Sequence, residues 1–162
     1  MVGIARHTDY AARIVLHLAC LEPGALVPIA EIARRRLLPT PFVRRVIGKL
    51  VKAGIVATVR GAAGGVRLGR PASEISLLDL VVAMEGGIAL NRCLETHHAC
   101  PFAASCPVHF AWAEVTRALE QQLAGLRFAD LATRYEGHVA AHRQPRLDRG
   151  RKARSRGAAS RR

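Results

Sequence analysis

The 162-residue chain carries 25 Lys and Arg against 12 Asp and Glu, a formal charge of +13, and half of its residues are hydrophobic although only 4% are aromatic. A core of Ala, Val, Leu and Ile in one domain, with an appended helix and a tail, fits these numbers without a disulfide framework. Asp9, Arg13 and His17 interrupt the first apolar stretch, so neither a secretory leader nor a membrane span of roughly 18 residues is expected, and the chain reads as cytoplasmic with reduced thiols.

In chain order, Thr8 is expected to cap a helix running to about Cys20, with Asp9 in its first turn and Ile14, Val15 and Leu18 on one side. Cys20, among apolar neighbours, reads as a small packed hydrophobe. After "EPG", Pro28 opens a second helix with Ile29, Ile32 and Ala33 at i, i+3 and i+4. A break at residues 37–39 follows. Thr40 then caps, and Pro41 opens, "PFVRRVIGKLVKA", whose Val43, Val46, Ile47, Leu50 and Val51 form one stripe while Arg44, Arg45, Lys49 and Lys52 fall mainly off it. Gly54 stops this helix. "IVATVR", "GAAGG" and "VRLG" predict a strand, a turn and a returning strand.

Two helices joined by a tight turn and followed by a two-stranded wing describe a winged helix-turn-helix, mainly α with a small β-hairpin. Between Glu31 and Glu74 there is no acid but there are ten bases, so the second helix carries a basic face suited to a major groove. Arg44, Arg45 and Lys49 are the candidates for base contact; Thr40 is a candidate phosphate donor or simply a cap. Arg60 and Arg67 flank the hairpin tip as candidates for backbone or minor-groove contact. Residues 143–162 add nine bases against Asp148 alone, a composition that predicts a disordered basic tail. No phosphate loop or nucleophile elbow is present, and "GAAGG" is too short and sits in a hairpin, so an enzyme is not expected.

Cys93, Cys100 and Cys106 follow at the spacing C-x6-C-x5-C, with Pro101 and Pro107 each directly after a cysteine. The prolines keep this segment from becoming continuous helix, leaving a loop whose three sulfurs can wrap one metal centre. A structural zinc held by three Cys and one His is the competing reading, although zinc ligands usually arrive in pairs two to four residues apart. A thiol redox switch is the other alternative.

"HTDYAARIVLHLA", "VRGAAGGVRLGRPASEISLLDLV" and "MEG" followed by three cysteines are similar to the iron–sulfur winged-helix transcriptional regulators, the family that includes IscR, NsrR and RirA. The resemblance covers about residues 4–135. It implies a homodimer joined by a long C-terminal helix starting near Pro107 and including Phe110, Trp112, Val115, Leu119 and Leu123. It further implies one cluster, 4Fe-4S or 2Fe-2S, per subunit, held by Cys93, Cys100 and Cys106. The fourth ligand is either His109, three residues after the last cysteine, or Asp9 from the partner subunit. A repressor follows, binding a pseudo-palindromic operator in double-stranded DNA under control of nitric oxide, iron or redox state. The expected organisation is a DNA-binding domain at 1–90, a cluster loop at 91–106, a dimerisation helix and C-terminal segment at 107–142, and the tail at 143–162.

Overall fold

Apolar residues spaced for a helix face explain the first half of the fold. In the computed structural model, which describes residues 3–61, 63–95 and 100–142, α1 (Arg6–Ala19) buries Ala11, Ile14, Val15 and Leu18 along one side. It begins two residues before Thr8, and Ala5 is its N-cap. Thr8 is therefore not a cap: its buried hydroxyl donates to Glu85 Oε1 at 2.6 Å, because a hydroxyl inside the first turn finds a carboxylate across the fold before it finds its own backbone. Cys20 ends α1 as its C-cap residue.

α2 (Ile29–Arg36) starts after Pro28 and buries Ile32 and Ala33. Leu37 ends it in the left-handed region at φ 54°, where Leu38 N–H reaches the Ala33 carbonyl at 2.9 Å. α3 (Thr40–Lys52) buries Val43, Val46, Ile47 and Leu50; its N-cap is Pro39, so Thr40 is the first helical residue and makes no capping bond. Val51, expected on the buried stripe, is 38% exposed at its edge.

β1 (Val56–Val59) and β2 (Gly65–Leu68) pair antiparallel, with Val56 opposite Leu68 and Val59 opposite Gly65. Val27 adds a bridge to Val66, with bonds of 2.9 and 2.8 Å in the two directions, so the wing is stitched to the segment before α2. Gly65 allows this: a Cβ there would lie 2.8 Å from the Val27 carbonyl carbon.

The segment "SLLDLVVAME" follows the wing. The structure forms α4 (Leu77–Glu85) there, started by a capping box in which the Ser76 hydroxyl accepts from Asp79 N–H and Asp79 accepts from Ser76 N–H. Burial opposes the Asp79 charge, but the Ser76 backbone and hydroxyl donors, with Arg70 and Arg127 nearby, outweigh it and hold the carboxyl below its usual range.

α5 (Pro107–Gly125) starts at the expected proline and lies against α4. A second helix, α6 (Phe128–His142), turns back onto α1. Its entry is tied down by Leu77 N–H to the Leu126 carbonyl and Phe128 N–H to the Ile75 carbonyl, both 2.9 Å, and the Phe128 ring is 1% exposed. Phe128 is thus a core residue supplied from beyond α5. The basic tail at 143–162 and the loop histidines His97 and His98 lie outside the described residues.

Candidate functional site

Two groups of polar side chains carry the candidate chemistry. The first is the basic surface. Arg44 and Arg45 sit on the exposed side of α3, away from the Val43, Val46, Ile47 and Leu50 face that anchors the helix. Arg60 is exposed where β1 ends, and Arg67 is exposed within β2, opposite Ala57, so Arg67 lies down the ribbon rather than at its tip. Thr40 is half-buried in the first turn of α3.

Lys49 is placed differently from its neighbours. Its ammonium donates to the Met84 carbonyl at 2.9 Å, one of the terminal carbonyls of α4 that has no partner inside its own helix. One residue on, Glu85 Oε1 accepts from Ala5 N–H at 3.1 Å and from the Thr8 hydroxyl. Residues 84 and 85 therefore hold together the start of α1, the last turn of α3 and the end of α4. The sequence offered no signal for this junction, because its members are separated by up to 80 positions. Gly86 and Gly87 follow at φ 89° and 146°, backbone that suits glycine, and turn the chain toward the cysteines.

The second cluster is the cysteine segment. Cys93 lies in a short 3-10 turn, Arg92–Leu94, that packs against α5. Cys100 opens a tight turn, with Ala103 N–H on its carbonyl at 3.1 Å, and Cys106 is the N-cap of α5, its carbonyl accepting from Phe110 N–H at 3.3 Å. All three side chains are half-buried. Among the described residues they are not drawn into a group of three metal-binding side chains. The donor set nevertheless suits a soft metal centre: beside the three sulfurs, His109 Nδ1 is buried without a hydrogen-bond partner, a desolvated acceptor that a metal would satisfy. Asp9 is otherwise engaged, its carboxylate paired with Arg13 at 2.9 Å on the exposed side of α1.

α5 itself leaves an apolar strip uncovered. Val108, Trp112 and Val115, spaced i, i+4 and i+7 on one face, are 38–60% exposed, Phe110 is exposed on another side, and Thr116 is the one buried residue of this helix. Contiguous exposed aromatic and aliphatic surface of this kind marks an association face. Among the described residues no helix is long and apolar enough to cross a membrane.

The model of the Rrf2 family, described as iron-dependent transcriptional regulators, matches residues 4–134. Protein aau3 of Rhizobium meliloti is 37% identical over 129 residues, which cover 79% of this chain and 83% of that protein. The HTH-type transcriptional regulator IscR of Serratia proteamaculans is 29% identical over 135 residues, covering 83% of this chain and 82% of that one. Among solved structures, CymR, the global cysteine regulator of B. subtilis, superposes with a TM-score of 0.66 at 26% identity, over 82% of this chain and 98% of the other.

Proposed function

This chain belongs to the Rrf2 family of transcriptional regulators, and from that premise we propose that it is a homodimeric repressor whose operator binding is controlled by an iron–sulfur cluster at Cys93, Cys100 and Cys106. The observation that carries the reading is the partnerless, buried Nδ1 of His109, set one turn into α5 behind the Cys106 cap. It makes His109 the fourth ligand we favour, over the partner subunit's Asp9. When bound, the cluster would supply a centre reactive toward nitric oxide, oxygen or loss of iron.

The rest of the mechanism belongs to the chain's own residues. Arg44 and Arg45 would enter the major groove of a pseudo-palindromic half-site, Thr40 would donate to a phosphate at the start of α3, and Arg60 and Arg67 would neutralise phosphates along the wing. Lys49, engaged with Met84, would set the pitch of α3 rather than read bases. Only the short stretch from Gly86 to Asn91 separates the Met84 and Glu85 junction from the cysteine turn. A displacement of that turn would pull on a carbonyl and a carboxylate that hold α1 and α3, and coupling needs nothing longer than this.

The test is anaerobic purification, with visible absorption, iron, sulfide and zinc measured on the same sample. Charge-transfer absorption with matching iron and sulfide, and operator binding that changes when nitric oxide or a chelator is added, is the expected result. His109→Ala should then weaken cluster retention while Asp9→Ala does not. A colourless protein with stoichiometric zinc would overturn the cluster, and a metal-free protein whose DNA binding follows thiol oxidation would make the loop a redox switch.

A further inference from the structure

A separate half-open cavity of about 370 Å³ lies at the root of the wing, between the connection after α1 and the residues where β2 ends. That is the size range of small-molecule sites, roughly 300–1,000 Å³. We propose that it binds a small aliphatic α-amino acid.

The lining argues for this chemistry by elimination. Leu18, Leu21 and Leu68 supply an apolar wall, while Arg67, Arg70 and Glu22 bring both signs of charge into the same space. Arg70 is half committed: its terminal nitrogen pairs with Asp79 at 3.2 Å, but its Nε is buried with no acceptor. Arg67 and Glu22 take part in none of the ion pairs among the described residues. A purely apolar occupant would desolvate these groups without pairing them. A simple anion would meet Glu22, and a simple cation would meet two guanidiniums. A zwitterion answers all three, with its carboxylate accepting from the arginines, its ammonium donating to Glu22 and its side chain on the leucines. Gly69 keeps part of the wall as bare backbone, since a Cβ there would lie 2.5 Å from the Gly54 carbonyl oxygen.

Arg67 is shared between this cavity and the proposed phosphate contacts of the wing. An occupied cavity therefore draws that guanidinium from DNA and lowers operator affinity. This coupling rests on the DNA role of Arg67; the ligand site does not.

The experiment titrates the full-length protein, followed by amide NMR shifts, with L-leucine, with 4-methylpentanoate, which lacks the ammonium, and with 3-methylbutan-1-amine, which lacks the carboxylate. Saturable shifts at Gly24, Gly69 and Ala72 with a Kd on the order of 1 mM or tighter are expected for leucine, and at least about tenfold weaker binding for either analogue. Glu22→Gln should bring leucine down to the level of 4-methylpentanoate, and Ala25→Leu, which fills the cavity, should abolish the shifts while the circular dichroism spectrum is retained. Absent shifts, equal binding of the three compounds, or leucine binding that survives Ala25→Leu would overturn the site. Leucine that binds as described yet leaves operator affinity unchanged would overturn the coupling through Arg67 alone.

Discussion

The winged-helix half and α5 solve opposite problems with similar residues. Ile14, Ile32, Val43, Leu50 and Val66 are all 0% exposed, so α1 to β2 close their apolar faces on one another. α5 carries Val108, Phe110, Trp112 and Val115 outward, with Phe110 and Val115 more than half exposed. The first region is finished by its own chain and the second is not. A side chain's hydrophobicity is thus no guide to its role here; what matters is whether another element of the same subunit covers it.

The largest effect should come from removing what joins the two regions. Phe128→Ala empties a core position that lies beyond α5 in sequence, and should cost about 3–5 kcal/mol in denaturant unfolding. A loss under about 1 kcal/mol would mean that the winged helix is complete without α6. Next, Trp112→Glu combined with Val115→Glu should raise the dimer dissociation constant about 100-fold, close to 2.7 kcal/mol, by analytical ultracentrifugation. Circular dichroism of the dissociated protein should be unchanged; unfolding instead would show that the α5 face supports its own subunit.

A smaller change tests the junction of α1, α3 and α4. Thr8→Val keeps the buried shape but removes the hydroxyl that Glu85 accepts from, and should cost about 1–2 kcal/mol of stability. It should also weaken operator binding more than an exposed α1 change such as Arg13→Gln, because Thr8, unlike Arg13, bonds to the end of α4. Equal effects of the two would detach the junction from DNA binding.

The smallest effect is one of pH and is confined to the winged helix. His17 is buried with Nε2 unpartnered. Burial foremost, then Arg36 and Arg35, lower its pKa from 6.5, against a smaller opposing pull from Glu31. The unfolded chain takes up this proton near pH 6.5 while the folded protein resists it, so stability is intact above 6.5 and is lost as pH falls from there toward the lowered folded value. Between about pH 7.5 and about pH 5.5 the wild type should therefore lose more Tm than His17→Gln does. Parallel Tm curves for the two proteins would remove His17 as the cause.

Local patterns made much of this legible. Val43, Val46, Ile47 and Leu50 announce the buried face of α3 because a helix repeats every 3.6 residues, and Pro107 announces the start of α5 because its missing N–H costs nothing in a first turn. The same local rules misplaced Thr8 and Thr40 as caps. A hydroxyl near a helix start has the right chemistry for capping, but its partner is chosen by what else is within reach, and for Thr8 that is a carboxylate 77 residues away. The crowding of cysteines was legible in the sequence, whereas the buried, partnerless Nδ1 of His109 exists only once α5 has packed.

The sequence by itself determined the helix-turn-helix and wing, the basic character of α3 and the concentration of thiols in one segment, since periodicity, turn residues and charge are properties of neighbouring positions. Tertiary structure alone decided that Lys49 faces α4, that Glu85 clasps α1, that Phe128 completes the core and that Arg67, Arg70 and Glu22 share a cavity. Each of these joins residues far apart along the chain, and only packing, which places distant groups within hydrogen-bond or van der Waals range, could choose among the partners their chemistry allows.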